Sequence, residues 1–317
     1  MKIIKRIVPV WLVCAAFIAV CTISEKFSDF YIDKIFPIVT YPLMYFSSLF
    51  NFSVGEWMIV IGLLWLAILF ITVILHIVKK VRYAVLYYKI TAWILTVICV
   101  VMCLNCFSLY HHSKIYETED TEYNFEELVI LRNYVVEKCN EFSLEVERDE
   151  NGEVLYEGNM EETAKSAVKA LSAENPRLSG FYTTPKTLYF SWFMSQQYLQ
   201  GYYFPFSMEA NINGIMKIMN KPFTMCHELS HTKGFIYEDE ANFIGFLACI
   251  NSEDIVFQYS GYLGVLNYIN NDLYKAVGKE EYKNYPAISS QVKTDNEFLS
   301  EDTWKDVEDN SVLNTET

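Results

Sequence analysis

The chain has 317 residues, 52% of them hydrophobic, and a formal net charge of -14; a positive mean hydropathy beside such acidity excludes one uniform soluble domain. Residues 1–109 carry 9 Lys/Arg against 4 Asp/Glu, a balance of +5, whereas residues 110–317 carry 16 against 35, a balance of -19. The acidic second part lacks the basic footprint that a phosphate backbone demands, so no nucleic-acid partner is expected.

Three uncharged runs, Ile7–Ser24, Trp57–Val78 and 90–110, are each close to the ~20 residues that a helical membrane span requires. Lys2, Lys5 and Arg6 before the first run would also suit a signal peptide, but no small-x-small cleavage site follows, so the run reads as a retained anchor. These basic residues, and Lys79, Lys80, Arg82 and Lys89 in the loop 79–89, predict a cytoplasmic N-terminus and loop. A multi-pass protein of the cell membrane follows, with residues 25–56 and everything after the third run outside the cytoplasm. Residues 25–56 form an aromatic segment at the outer interface, in which Pro37 and Pro42 are expected to interrupt any long helix. Five cysteines fall in the spans and only Cys139, Cys226 and Cys249 in the outer domain, too few for a disulfide framework.

Asn124-Phe-Glu-Glu127 predicts the start of an amphipathic helix bearing Leu128, Leu131, Val135 and Cys139. Asn151-Gly152, between Val146 and Val154, predicts a hairpin whose acids form a solvated turn rather than a calcium loop. A second helix is expected over 161–173, closed by Asn175-Pro176. From Lys186 to Ile212 the residues favour strands, Thr187–Ser191 and Tyr202–Ser207, and Pro205 suggests a sheet edge that could hold an extended peptide.

Cys226-His-Glu-Leu-Ser-His231 is an H-E-x-x-H string. A helix from Lys221 or Pro222 to Gly234 would put His227 and His231 mid-helix on one face, where two imidazoles can hold one Zn²⁺ and Glu228 can deprotonate the water that the metal activates. A catalytic zinc takes a third protein ligand, and outside the string this part of the chain has only His111 and His112, beside the last span. A carboxylate is therefore expected from the helix that Glu238-Asp-Glu240 opens. Glu238 shares a face with the small residues Ala241, Asn242, Gly245 and Ala248, which would let the helices approach closely; Glu240 shares one with Phe243, Ile244 and Leu247. Glu238 is the preferred ligand, Glu240 the alternative, and Asn242 a residue that could orient the ligand. Tyr237, Tyr259 and Tyr262 are candidates for an oxyanion donor. Residues 292–317 read as an acidic, weakly ordered tail.

The three spans, Tyr202-Tyr-Phe-Pro-Phe-Ser-Met-Glu-Ala-Asn-Ile-Asn213, the string at 226–235, Glu238-Asp-Glu-Ala-Asn-Phe243 and the segment ending at Leu263 resemble an uncharacterised bacterial membrane family, the domain of unknown function 3810. That resemblance implies architecture but no substrate, and a further helical segment beyond the last residue. The string also looks like that of the gluzincin metallopeptidases, in which a Glu is the third ligand and an Asp follows at four residues; here Asn242 takes that place, and Lys233 stands where an apolar residue is usual.

The expected fold class is α+β: three transmembrane helices over 1–110, then a mostly helical, zincin-like extracytoplasmic domain with a small sheet over 111–291. The expected function is a membrane-anchored zinc metallopeptidase acting on polypeptide, with Zn²⁺ on His227, His231 and Glu238 and with Glu228 as base. The alternative is a non-catalytic sensor or peptide-binding scaffold of the same fold. A transporter or channel is disfavoured, because His76 is the one ionisable side chain of note within the spans.

Overall fold

A computed structural model describes residues 3–79, 83–115 and 124–311; the expectations for Lys2, Lys80, Arg82 and residues 312–317 lie outside them. The chain is α+β, mostly helical with one small sheet. It divides into two compact units, Met1–Ser113 with Phe204–Glu209, and Lys114–Tyr203 with Ala210–Thr317.

In the first unit, α1 (Ile4–Ile23) precedes two shorter helices, α2 (Glu25–Phe30) and α3 (Phe36–Ser48), joined by a π-helical turn at Tyr31–Ile35. Two long helices follow, α4 (Val54–Lys79) and α5 (Ala84–Asn105). Three segments, Ile4–Ile23, Val54–Val78 and Ala84–His111, are helical, long and apolar enough to cross a membrane. The helix α1 begins before the uncharged run because Lys5 and Arg6 are exposed and can join its first turn. Pro37 and Pro42 do not interrupt α3. Pro37 sits in the first turn, where a backbone N–H has no intrahelical partner, and Pro42 forfeits one hydrogen bond without ending the helix.

The registers of the long helices rest on indole and hydroxyl contacts. Trp11 Nε1 donates to Thr96 Oγ1 at 3.2 Å, and further along Thr22 Oγ1 lies 3.3 Å from His111 Nε2, so α1 and α5 run parallel. Trp65 of α4 stacks on Tyr87 at 4.6 Å and donates to Thr91 Oγ1 at 3.0 Å. At the start of α4, the fully buried Glu209 carboxylate accepts the Val54 and Gly55 N–H groups at 3.1 and 2.8 Å and the Ser207 hydroxyl at 2.7 Å. It supplies acceptors for donors that a helix start leaves over, and negative charge where the helix dipole favours it.

The second unit contains α6 (Phe125–Glu145), α7 (Met160–Ala170), β1 (Lys186–Thr187), α8 (Ser191–Ser195), β2 (Gly201–Phe204) and β3 (Glu209–Ile212), of which Phe204 and Glu209 belong to the first unit. Then come α9 (Lys221–His231), α10 (Glu238–Ile250), α11 (Ile255–Tyr282), α12 (Ser290–Asp295) and α13 (Glu301–Asp309). Asn124 and Asn159 cap α6 and α7 through their side chains, as their residue types favour. The expected hairpin reduces to a single antiparallel bridge, Arg148 to Val154. Asp149 Oδ1 accepts the Asn151 and Glu153 N–H groups, both at 2.9 Å, so that acid closes its own turn.

The sheet order is β1-β3-β2, with β1 parallel to β3. Asn213 N–H donates to the Gln200 carbonyl at 2.8 Å beyond the ends of β2 and β3, which run antiparallel as an adjacent pair. Strand β1 is shorter than the expected Thr187–Ser191, because the chain turns into α8 at Ser191, whose hydroxyl binds the Leu188 carbonyl at 2.7 Å.

The expectation of a weakly ordered tail from 292 is overturned as far as Ser311. Val292, Leu299 and Val307 are all but inaccessible. The buried Asp295 takes two hydrogen bonds from Arg148, at 2.9 and 2.7 Å, and one from Tyr259 Oη at 2.8 Å. A few well-spaced apolar anchors and one buried ion pair order a segment whose average composition is polar.

Candidate functional site

The helix α9 starts as expected, with Pro222 in its first turn. It is held from outside by the Ser260 hydroxyl, which accepts the Phe223 N–H at 3.1 Å and donates to the Met219 carbonyl. The helix stops at His231, which is therefore its last residue and not mid-helix; the chain then turns through Gly234, at φ +92°. That turn brings the Phe235 carbonyl to 2.6 Å from His231 Nδ1. A carbonyl only accepts, so Nδ1 carries the proton and a neutral ring presents a bare Nε2.

Four positions apart, the rings of His227 and His231 bring their Nε2 atoms to 3.1 Å. Glu238, the first residue of α10, sets Oε2 3.2 Å from His227 Nε2 and Oε1 3.8 Å from His231 Nε2. The approach depends on the small face of α10: Ala241, Gly245 and Ala248 are buried, and a Cβ on Gly245 would stand 3.3 Å from the His227 nitrogen. Asn242 also interacts with the His227 ring.

Glu240 is not at the site. Fully buried, it accepts the Ile115 N–H at 2.8 Å, whereas the Glu238 side chain is 77% exposed. About half a turn of helix separates a carboxylate facing the imidazoles from one committed to a backbone amide.

Glu228 is buried, and offers one oxygen within 4.8 Å of a nitrogen on each histidine. It accepts a hydrogen bond from the Tyr203 backbone, and its Oε2 is buried with no hydrogen-bond partner among the described residues. Burial pushes its carboxyl up to about 7, although the neighbouring His227 pulls the other way. Burial, and then the charge of His227, press His231 down to about 4. Burial also opposes a charge on His227, but its bond to Glu238 and the nearby Glu228 carboxylate outweigh it and raise that pKa. The bond to His227 in turn holds Glu238 below the usual carboxylate range.

The structure adds a wall that the sequence reading missed. Strand β2, the outer strand next to β3, runs beside α9: the Tyr203 ring lies 6.1 Å from that of His231, and Thr224 Oγ1 donates to Gln200 Oε1 at 2.9 Å. A Cβ on Gly201 would lie 2.7 Å from the Asn211 carbonyl and 3.0 Å from Glu228 Cγ, so this approach requires glycine. The strand-forming residues near Tyr202 were visible; their contact with Glu228 was not. Of the tyrosines considered as oxyanion donors, Tyr259 binds Asp295, and the Tyr262 hydroxyl lies 3.2 Å from that of Tyr134. The ring of Tyr237 carries the Lys114 ammonium at 4.8 Å. Lys233 fills its unusual place by burying its stem and donating to the Ser179 and Phe181 carbonyls at 2.9 and 2.7 Å, over the Tyr182 ring.

A family model described as protein of unknown function, DUF3810, matches residues 31–315. The chain belongs to that family. The DUF3810 match takes in α9 and α10 with all four residues of the histidine–carboxylate cluster, and it begins after α1. No curated protein and no solved structure matches the chain.

Proposed function

We propose that this protein is a membrane-anchored zinc metallopeptidase, with His227, His231 and Glu238 holding the metal and Glu228 as the catalytic base. The observation that carries the proposal is the convergence of three donor groups. Zinc–nitrogen and zinc–oxygen bonds of roughly 2.0–2.2 Å at tetrahedral angles set neighbouring ligand atoms about 3.3–3.6 Å apart. The two Nε2 atoms are 3.1 Å apart, and Glu238 Oε2 is 3.2 Å from one of them. The orphaned Glu228 Oε2 beside them is a further sign of fit, since a buried carboxylate oxygen without a partner is costly unless a water or substrate group meets it.

Bound there, zinc would polarise a carbonyl and bring the pKa of a water towards about 7. Glu228, itself raised to about 7 by burial, is matched to take a proton from the attacking water and to hand it to the departing amine. The Phe235 carbonyl keeps His231 in the tautomer that presents Nε2, and Asn242 steadies His227. Strand β2, the outer strand of the sheet, is suited to lay an extended polypeptide beside α9. The reading puts the site outside the cytoplasmic membrane, because basic residues precede the first span and lie between the second and third.

Purified protein should hold about one zinc per chain, the double variant His227→Ala/His231→Ala none, and Glu228→Gln should keep zinc but lose cleavage of an unstructured polypeptide. Cleavage by Glu228→Gln at the wild-type rate would refute the catalytic assignment. Zinc held without any product would leave a binding scaffold.

A further inference from the structure

We propose that Cys14, Cys99 and Cys103 form a three-thiol site for a trivalent thiophilic metalloid, of which arsenous acid is the simplest form. The proposal is independent of the histidine–carboxylate cluster. The three Sγ atoms all lie within 4.8 Å of one another, with Cys14 and Cys103 buried and Cys99 half-buried. Cys99 and Cys103 are one turn apart on α5, and Cys14 faces them from α1. The register is fixed close by: the Trp11 to Thr96 hydrogen bond lies three residues before Cys14 on one helix and three before Cys99 on the other.

Charge and coordination number select the ligand. These helices are long and apolar enough to cross a bilayer, where an uncompensated charge is costly. Three thiolates around Cu(I) would leave two negative charges and around Zn²⁺ one, and zinc further prefers a fourth donor, which this cluster does not include. Trivalent arsenic takes three thiolates and ends neutral. In that reaction arsenous acid and three thiols give the tris-thiolate and three waters: three As–O and three S–H bonds break, and three As–S and three O–H bonds form. Arsenic stays trivalent throughout, so no oxidant or reductant is needed and no proton is left in the apolar layer. Half-exposed Cys99 offers the point of entry.

The test uses the reduced full-length protein in bilayer nanodiscs, exposed to arsenite, desalted, and analysed for arsenic per chain and for sulfur neighbours by X-ray absorption. The chain has five other cysteines, so each variant is read against wild type. Cys14→Ala, Cys103→Ala and the one-atom exchange Cys99→Ser should each lose one arsenic per chain and the three-sulfur signature, with unchanged melting, while Cys226→Ala keeps both. Equal arsenic in wild type and all three variants, or arsenic with two sulfurs and one oxygen, would overturn the site. Retention of Cu(I) with exclusion of arsenite would overturn the charge argument.

Discussion

Glu238 and Glu240 are two residues apart on one helix, and exchanging each for alanine should produce opposite effects on metal and stability. Glu240 is inaccessible and accepts the Ile115 N–H at 2.8 Å. Glu240→Ala empties a fully buried side-chain position and leaves that part-buried amide without its acceptor, at about 1–3 kcal/mol. For a domain of this size each kcal/mol is worth ~2–4 °C, so melting should fall by roughly 2–12 °C. Glu240→Gln keeps an acceptor oxygen and should recover most of the loss. Glu238, 77% exposed with its oxygens 3.2 and 3.8 Å from the imidazoles, contributes little to folding beyond the helix dipole, about 0.3–1 kcal/mol. Glu238→Ala should nevertheless weaken zinc binding by more than the ~10–100-fold typical of residues that only support a ligand. Zinc titration with a competing chelator, beside thermal melting of the metal-free protein, separates the two effects. Zinc lost from Glu240→Ala but held by Glu238→Ala would refute the ligand assignment.

Other positions carry equally direct expectations. Asp295→Ala takes the counter-ion from a largely buried Arg148, which keeps the Ser143 and Gly152 carbonyls, and the acceptor from Tyr259, so urea denaturation should show a loss of up to about 3–5 kcal/mol; a change near zero would mean that the ion pair does not hold the C-terminal segment to the fold. Glu209→Ala removes the acceptor for two N–H groups at the start of α4 and for Ser207. Thermal stability in detergent should drop by about 0.5–2 kcal/mol, as for other lost helix caps, and an unshifted melt would show that the carboxylate is dispensable there. Gly201→Ala forces a methyl against the Asn211 carbonyl and Glu228, which should cost about 1–3 kcal/mol and lower kcat more than it raises KM, with zinc retained. Wild-type kcat in that variant would separate β2 from the action of Glu228.

The DUF3810 fold was legible in the sequence where a pattern repeats along the chain. Three apolar runs became three apolar helices, Asn124 capped α6, and Pro222 opened α9. Length, hydropathy and capping chemistry are local properties, and each run satisfies its own backbone. The order of the last residues was not legible, because it depends on Val292, Val307 and Asp295 meeting partners more than a hundred residues away in some cases, such as Arg148.

At the site, the spacing of His227 and His231 already put both rings on one side of a helix, and the small residues after Glu238 already favoured that carboxylate over Glu240. Sequence by itself left both acids open, since either could open the same helix. Tertiary packing gives them different surroundings: the Gly245 face lies against the backbone of His227, with the Glu238 oxygens 3.2 and 3.8 Å from the imidazoles and Glu240 bound to the Ile115 amide. Packing alone also set the Phe235 carbonyl behind His231, the Tyr203 amide on Glu228 and the Cys14 thiol beside those of Cys99 and Cys103. Backbone groups look alike in any sequence, and thiols distant along the chain become neighbours only when helices choose their faces.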